Sequence, residues 1–543
     1  MMYKTGRLAL ALLLISLLAL SCRKDGSGPS WDVDVLVPIV KTELTLKNLV
    51  ADSLLASDPN GALSIAFDGT VFRLNLDTLV EIPNETIQET FILPFGTIYL
   101  QPGEPIPSLG NALEATKYNL NAVELKKIKI RSGFLTFQLS SSIQEAVELS
   151  YTMQNATISG TPFSVTEIIP AGTQTAQSVI TRTYDLSGYT IDMRGVNLND
   201  FNTIVAEFAA IISPSATDSV AITQGDKFDI KYTFDSIKPE FAEGFFGSYS
   251  VSDALTDTID IFKNIASGFL NIDSIGMEMR IENGFGIDAQ LTLDTFRSIN
   301  TVTGASVDLS HSSIGNSINL SRALNMATSE TPFTYSQFNL TMNTQNSNVD
   351  QLIETLPDRI RYAFEIDINP FGNNSNGNDF LYFDSDLKIS MDLKIPARFS
   401  ANGLTILDTV DFDLGKDPKK DHETTITGGF FYLYADNGFP FEARFQLYLY
   451  DENFVLLDSL LLPTNNTVLA APVDLNNRVT SKLQSRLDIA VDDDKIIVLE
   501  NAKKAMIKVI FTTQPNNQIM TIFSDYAIDL KLVGDFTYRA KVN

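Results

Sequence analysis

The sequence predicts an all-β protein built from tandem antiparallel β-sandwich modules of immunoglobulin-like type, joined by a few short helices. Three observations predict this class. Short apolar runs recur between Gly, Pro, Asp and Asn residues. In the clearest runs apolar and polar residues alternate, so that one face of each strand is buried and the other is solvated. A strand–Asn-Gly–strand unit occurs twice, which indicates a duplicated module.

The first 22 residues have the layout of a secretory signal. Lys4 and Arg7 precede an apolar run over residues 8–20, and Ser21-Cys22 follows it. The run is too short to span a hydrocarbon core of about 30 Å comfortably, so we expect it to be cleaved. Cys22 is the only cysteine, which excludes a disulfide framework. We therefore predict lipid attachment at Cys22; the alternative is an ordinary signal peptide with an incidental cysteine.

Residues 23–30 (RKDGSGPS) are predicted to form a flexible tether. An N-terminal β domain is expected over residues 31–125, where Val33, Val35 and Val37 alternate with other residues in the first strand. We expect Trp31 to pack at the edge of this domain.

Three further sandwich modules are predicted over residues 126–262, 263–400 and 401–543. Two of them carry the same turn, Asn283-Gly284-Phe285 and Asn437-Gly438-Phe439, between alternating strands. Asn-Gly in this setting indicates a tight type I′ hairpin with positive φ at both residues. Residues 132–144 are a weaker third copy without the Asn-Gly pair. Short helices are expected around residues 352–356 and 499–505.

The length and net charge of the chain bear on its domain number and on the partners it is able to bind. The 543-residue chain is longer than one core usually serves, which indicates several domains. Its formal net charge of −26 disfavours nucleic acid as a partner and disfavours docking onto anionic lipid by charge alone. Membrane attachment is therefore expected to depend on the N-terminal lipid.

No catalytic residue, metal ligand or cofactor site is predicted. The chain has two histidines: His311 between two serines, and His422 in a charged run. No Gly-x-Ser-x-Gly or His-Glu-x-x-His motif accompanies them. A glycosidase-type carboxylate pair remains a remote alternative, because acids are abundant. Calcium remains an alternative at Asp492–Asp494 and in the loop of residues 369–379, although neither has the residue order of a strong calcium loop.

Two aromatic segments are candidate binding surfaces. The first is Pro239–Ser250, which is a partner-binding loop if exposed and closes a domain if packed; its aromatic residues are Phe241, Phe245, Phe246 and Tyr249. The second is residues 430–450, whose aromatic side chains are able to stack on sugars if they form an outward platform.

Asp followed by Ser or Thr and then an aliphatic residue recurs along the chain. The motif resembles the O-glycosylation acceptor of Bacteroidetes envelope proteins, and glycans there would be bulky and solubilising. The candidate acceptors are Ser53, Thr78, Ser219, Ser236, Thr258, Ser274, Thr409 and Ser459.

Residues 18–22 (LALSC) resemble a bacterial lipobox, and Arg23 to Asp25 resembles the export signal of surface lipoproteins. With the Asp-Ser/Thr sites, the Gly-Phe-Phe-Gly segment (residues 244–247) and the Asn-Gly-Phe turns, the chain is similar to large uncharacterised outer-membrane lipoproteins of Bacteroidetes. The resemblance implies a β-rich protein on the outer membrane, facing the cell surface rather than the periplasm.

These observations lead us to expect a non-enzymatic lipoprotein that binds or scaffolds an envelope assembly, with an outer-membrane protein as partner. The first alternative is a surface glycan-binding lipoprotein for nutrient capture, which requires an outward aromatic platform in residues 430–450. The second is a lipid-binding or transfer protein, which requires a continuous internal channel. Hydrolase activity is a more distant alternative.

Overall fold

The computed structural model describes residues 30–48, 50, 52–75, 82–92, 96–107, 109, 112–262, 264–326, 332–412, 424–461, 464–514 and 518–541. Regular structure in these residues is almost entirely β. The signal, Cys22 and the tether lie outside them except for Ser30, as do Thr78 and His422.

The first part of the chain contains six strands and two short 3₁₀ turns, Leu46–Asn48 and Asp52–Leu54. The strands are β1 (Ser30–Leu44), β2 (Leu55–Ser57), β3 (Leu63–Asn75), β4 (Glu85–Ile92), β5 (Ile98–Leu100) and β6 (Ala112–Lys117).

The next eight strands form most of the first sandwich. They are β7 (Glu124–Ser141), β8 (Val147–Ile158), β9 (Thr161–Ile169), β10 (Ser178–Asp185), β11 (Thr190–Asp192), β12 (Thr203–Ile212), β13 (Val220–Ile222) and β14 (Lys227–Phe245).

Twelve strands and one short helix follow, and most of them form the second sandwich. They are β15 (Tyr249–Thr258), β16 (Ile265–Ile272), β17 (Gly276–Asn283), β18 (Ala289–Ile299), β19 (Ser306–Asp308), β20 (Ser317–Leu320), β21 (Leu324–Asn325), β22 (Phe333–Thr334), β23 (Ser336–Asn343), α1 (Val349–Glu354), β24 (Arg359–Ile368), β25 (Asp379–Tyr382) and β26 (Asp386–Pro396).

The last elements build the third sandwich. They are β27 (Arg398–Asp411), β28 (Thr424–Asn437), β29 (Phe441–Tyr450), β30 (Leu456–Ser459), β31 (Thr467–Val468), β32 (Leu483–Val491), α2 (Asp493–Asn501), β33 (Lys504–Thr513), β34 (Met520–Thr521) and β35 (Ile528–Lys541). The helices α1 and α2 are the short connecting helices that the sequence predicts.

The eight main strands of each sandwich form two antiparallel layers of four, and further strands pair beside them, such as β2 with β3 and β16 with β27. In the first, β4–β14–β7–β10 lies opposite β6–β12–β8–β9, and the short β11 pairs with both layers. The second has β3–β26–β17–β23 opposite β15–β24–β18–β19, and β20 also pairs with β18. The third has β1–β35–β28–β32 opposite β27–β33–β29–β30, and β31 also pairs with β29.

Aromatic and aliphatic side chains fill the space between the layers. The Tyr151 and Tyr232 rings are 5.9 Å apart between the layers of the first sandwich. Phe72 and Phe364 are 4.4 Å apart between those of the second. The alternation in β7 is as predicted, since Ile128 and Ile130 are buried while Lys129 is exposed. The prediction of tandem antiparallel sandwiches is confirmed.

The strand order within each sandwich differs from the immunoglobulin-like order that we expected. Numbering the eight main strands of a sandwich along the chain, one layer has the order 1-8-3-6 and the other 2-7-4-5 in all three. This is the order of a jelly roll. The alternation of apolar residues does not distinguish the two, because both folds bury one face of each strand.

The predicted N-terminal domain over residues 31–125 is not a sheet of its own. Its strands are distributed over all three sandwiches: β4 pairs with β14, β3 with β26 and β1 with β35. The other module boundaries also shift. The strand β15 falls in predicted module 126–262 but pairs in the second sandwich, and β16 falls in module 263–400 but pairs with β27. Strand pairing, which the sequence pattern does not specify, decides these boundaries.

The two Asn-Gly turns are not hairpins. The strands β17 and β18 lie in opposite layers of the second sandwich, and β28 and β29 lie in opposite layers of the third. Neither Gly284 nor Gly438 has a positive φ. An added Cβ would lie 2.8 Å from the Asp386 carbonyl oxygen at Gly284 and 2.8 Å from the Ala527 carbonyl oxygen at Gly438. Glycine is therefore needed here for a close backbone approach and not for a left-handed turn.

A buried asparagine organises each of these corners. Asn437 is 0% exposed; its Nδ2 donates to the carbonyls of Phe441 and Leu469, both at 2.8 Å, and its Oδ1 accepts from the Phe439 N–H at 2.9 Å. Asn283 makes the same bonds to Ile287, Ser321 and Phe285.

The third copy of the module has an equivalent corner, in which Ser141 takes the place of the asparagine. The hydroxyl of buried Ser141 accepts from the N–H of Ile143 two positions on, as the asparagines do. The carbonyl of Ile143 accepts from Gly172, which matches Phe285 with Ala323 and Phe439 with Ala471. The structure therefore supports three copies of one module.

We predict that Asn437→Ala lowers the free energy of unfolding of the third sandwich by about 2–4 kcal/mol, because two carbonyls and one N–H lose their partner inside the core. Urea unfolding followed by circular dichroism measures this. The exposed Asn374→Ala is the control and should change stability by less than about 0.5 kcal/mol. Equal effects of the two substitutions would show that the corner amide does not stabilise the fold.

Candidate functional site

The predicted partner-binding segment is largely packed. Residues 239–245 continue β14, and β15 begins at Tyr249, so that only three residues connect the strands. Phe246 is 1% exposed. Phe241 is half-buried against Tyr382, with ring centroids 4.8 Å apart. Phe245 is half-buried. The Tyr249 hydroxyl is buried, which raises the pKa of that group. These four aromatic side chains do not form one exposed patch.

The same region contains a buried charge cluster that joins the first two sandwiches. The Arg322 guanidinium contacts Asp288 at 2.7 Å and the fully buried Asp379 at 2.9 Å. Asn369 donates from Nδ2 to Asp379 at 3.0 Å and to the Gly247 carbonyl at 3.1 Å. Arg322 holds the pKa of Asp288 below its usual range through their hydrogen bond. The cluster fixes the start of the loop at Asn369 through these hydrogen bonds.

The residues considered for calcium have other partners. Lys126 donates from Nζ to the Asn376 carbonyl at 2.5 Å and to the Asn378 side chain at 3.2 Å, so a cation already lies on this loop. Asp492 caps α2 by accepting from the Lys495 N–H. Among the residues that the structure describes, no group of three or more His, Cys, Asp or Glu side chains is placed to hold a metal ion.

His311 has a local role: its Nδ1 accepts from the Ser313 N–H at 3.1 Å. Of the candidate O-glycosylation sites in the described residues, six hydroxyl-bearing residues are exposed and Ser459 is half-buried. The exposed ones are Ser53, Ser219, Ser236, Thr258, Ser274 and Thr409.

An outward aromatic row lies in the sheet β1–β35–β28–β32, which we call the terminal sheet because it contains the first and last strands. Phe431 and Ala435 of β28 point into the core, at 1% and 0% exposure. The alternate residues Phe430, Tyr432 and Tyr434 therefore lie on the outer face. Phe430 is 44% exposed. We call these three residues the aromatic row.

The side chains of the aromatic row contact one another and charged neighbours. The Phe430 and Tyr432 rings are nearly parallel, at 3° with centroids 5.9 Å apart, and Tyr434 follows at 6.5 Å. The Arg486 guanidinium lies 5.0 Å from the Tyr432 ring, within the range of a cation–π contact. The Tyr432 hydroxyl donates to Asp535, and partial desolvation together with that carboxylate raises the pKa of the tyrosine.

The strand that follows the tether flanks the aromatic row. Leu36 of β1 and Phe430 of β28 both pair with Asp535 of the intervening β35, and Leu36 is 68% exposed. The free edge of β1 is less suited to contact, because Pro38 and a register shift interrupt it. The outer face of the terminal sheet thus combines the exposed Leu36 and the aromatic row with charged residues, among them Asp535, which lies between Leu36 and Phe430. The sequence predicts an aromatic platform within residues 430–450, which include the aromatic row. It does not show which aromatic side chains of that segment face outward.

Small voids lie in the cores of the first two sandwiches. In the described residues, the core voids of the first and second sandwiches have volumes of about 10–20 Å³, roughly the space of one water-sized sphere. The lipid-carrier alternative requires a continuous channel, and each of these voids is too small to hold a lipid chain. Across the described ranges, no helix is both long and apolar enough to cross a bilayer.

No protein-family model matches the sequence, and no curated protein matches it. Among solved structures, the chain resembles a "putative secreted protein" of Parabacteroides distasonis at 10% identity and a TM-score of 0.25, covering 92% of this chain and 99% of that one. It also resembles the triple jelly-roll protein of an archaeal virus turret at 9% identity and a TM-score of 0.11, covering 84% and 89%. A third match is VP2 of infectious bursal disease virus, at 10% identity and a TM-score of 0.13, covering 92% and 83%. TM-scores this low support no inference about this chain.

We predict that Arg322→Gln lowers the free energy of unfolding by about 3–5 kcal/mol at pH 7, because it leaves the buried Asp379 without its cation. The control is Arg280→Gln, which breaks the more exposed pair with Asp392 and should cost at most about 1 kcal/mol. Urea unfolding of both variants measures the difference. Equal losses would contradict the structural role given to the cluster.

The same cluster predicts a pH dependence. Because the pKa of Asp288 is lowered in the folded state, its contribution to stability is complete above the ordinary Asp pKa of about 3.9 and is lost as pH falls through the lower folded-state value. The acid limb of the stability curve should therefore be shallower in Arg322→Gln than in the parent protein.

Proposed function

We propose that the chain is a non-enzymatic lipoprotein that is held at the outer membrane through Cys22 and serves as a binding or scaffolding subunit of an envelope protein assembly. The observation that carries this proposal is the outer face of the terminal sheet, with Leu36 and the aromatic row beside the strand that follows the tether. We further propose that this face contacts a protein anchored in the same membrane, and that the chain faces the cell surface.

The composition of this face suits a protein partner. Tyr, Phe and Arg are enriched at protein interfaces, and such aromatic and Arg anchors often carry most of the binding energy. The face presents Phe430, Tyr432, Tyr434 and Arg486 together. The exposed Leu36 adds an apolar side chain to this face, on the other side of Asp535 from Phe430.

The position of the face relative to the lipid is consistent with a membrane-anchored partner. The eight tether residues after Cys22 span at most about 29 Å. From Ser30 to Leu36 the strand covers about 20 Å. Leu36 therefore lies within about 50 Å of the lipidated residue, and Phe430 lies two strands from it across the sheet, about 10 Å away. This distance is within reach of the loops and folded parts of an integral outer-membrane protein.

Glycan binding is the second candidate, because it also requires an outward aromatic platform in residues 430–450 and the aromatic row lies there. The two candidates predict different results. A docking subunit is purified with a protein partner, whereas a glycan-capturing protein is purified alone and loses oligosaccharide affinity when Phe430 and Tyr432 are replaced.

Purification of the tagged chain from native membranes in mild detergent, with lysine-directed cross-linking and mass spectrometry, tests the proposal. We expect a stoichiometric envelope protein with cross-links from Lys41 and Lys531, which are paired and exposed on the outer face of the terminal sheet. The double variant Phe430→Ala/Tyr432→Ala should recover at least about tenfold less partner. Tyr99→Ala, equally an exposed aromatic but on β5, is the control. Recovery of the chain alone would refute the docking proposal.

The lipid anchor has its own test. Cys22→Ala should move the protein from the membrane fraction to the soluble fraction, since no other membrane attachment is proposed. Cys22→Ala remaining fully membrane-bound would exclude the anchor, whereas a soluble variant that still binds the isolated partner would separate anchoring from docking.

A further inference from the structure

A cleft of about 660 Å³ opens between α1 of the second sandwich and the paired strands β16 and β27. It is far larger than the core voids and falls in the size range of small-molecule sites, about 300–1,000 Å³. The residues that matter to its chemistry are Phe269, Thr303, Gln351, Glu354, Asn402 and Gly403. The cleft is separate from the terminal sheet face and from the buried charge cluster.

The wall formed by α1 is held in place by a buried asparagine. Asn300 donates from Nδ2 to the carbonyls of Thr355 at 3.0 Å and Leu356 at 2.8 Å, and its Oδ1 accepts from the N–H of Thr303 at 2.9 Å. Leu356 has φ of +52° although it is a leucine, and it is 5% exposed. A left-handed leucine costs about 1–2 kcal/mol and persists where its surroundings fix it. This wall is therefore pre-organised.

The opposite wall presents an exposed aromatic ring. Phe269 is 74% exposed and is paired with Asn402 across β16 and β27. Gly268 fixes this arrangement, because an added Cβ would lie 2.5 Å from the Leu404 Cα atom. At Gly403, by contrast, an added Cβ would meet no atom within 4 Å. The backbone that carries Phe269 is thus held close to β27, and its exposed ring lies beside open space.

The remaining lining includes several polar side chains but no basic one. The amides of Gln351 and Asn402 are on exposed residues. Glu354 is half-buried; its Oε1 accepts from the Ile272 N–H at 2.9 Å, and burial raises its pKa. No Lys or Arg is among the residues that line the cleft. A phosphate or carboxylate ligand would meet Glu354 with no compensating cation.

We propose that this cleft binds a neutral oligosaccharide. The apolar face of a sugar ring packs on Phe269, and the sugar hydroxyls, which both donate and accept, bind the Gln351 and Asn402 amides and the free oxygen of Glu354. This activity goes beyond the proposed docking function and does not depend on it.

The test is binding of the full-length purified protein to maltohexaose, cellohexaose, laminarihexaose, mannohexaose, xylohexaose and chitohexaose, with hexalysine as a cationic probe. Saturation-transfer NMR detects the ligand and calorimetry measures its Kd. We expect at least one neutral oligosaccharide to bind and Phe269→Ala to weaken it by about tenfold or more, the loss of one buried aromatic contact.

Two further variants separate binding from folding. Asparagine accepts the left-handed φ of +66° at position 403, and its side chain would lie in the open space of the cleft. Gly403→Asn should therefore block binding and leave the unfolding curve unchanged. Glu354→Gln should weaken binding while preserving the hydrogen bond from Ile272. Phe371→Ala, also an exposed Phe at 59%, is the matched control and should bind as the parent does.

The inference is overturned if none of the six oligosaccharides binds, if hexalysine alone binds, or if Phe269→Ala and Gly403→Asn bind as the parent does. Its failure is distinguishable from failure of the docking proposal. The cleft variants should keep the cross-links from the terminal sheet, and Phe430→Ala/Tyr432→Ala should keep the oligosaccharide affinity of the cleft.

Discussion

Three strands from the first 92 residues complete the three sandwiches, and the rest of the architecture depends on this pairing. The last strand of each sandwich pairs with one of them: β14 with β4 in the first, β26 with β3 in the second and β35 with β1 in the third. The N-terminal strands therefore join the sandwiches in the reverse of their order along the chain. Without them β14, β26 and β35 would each present an unpaired row of backbone N–H and carbonyl groups. The sandwiches are therefore coupled through the N-terminal segment.

This coupling has consequences for folding and for the position of the termini. Ser30 pairs with Lys541, so the strand that leaves the tether cannot pair fully until the end of the chain has been made. Pairings this distant in sequence carry a large loop-closure cost and make folding slow. They also place β1, the last strand β35 and the aromatic row of β28 in one sheet. The outer face of this sheet is thereby assembled from segments near residue 30 and near residue 540.

The sheet-crossing corners show how one structural requirement is met three times. Where the chain leaves one layer for the other, its backbone groups lose their ladder partners inside the core. Asn283 and Asn437 replace these partners with a side-chain amide, which both donates and accepts. Ser141 supplies only the acceptor part through its hydroxyl. A shorter side chain at the first corner explains why that copy is hard to recognise in the sequence.

The sequence by itself determined the all-β class, the repeated module, the acidic surface and the two short helices. Alternation with period two fixes which face of a strand such as β7 is buried, and that information is local. Tertiary structure decided the strand partners, because an edge strand pairs equally well by pattern with any neighbour. In the tertiary structure the Asn-Gly segments cross between layers and do not form hairpins. The strands of the expected N-terminal domain lie in three different sandwiches. Tertiary structure also decided exposure: Phe246 is buried and Phe269 is open, although both follow a glycine-containing segment, because neighbours distant in sequence cover one and not the other.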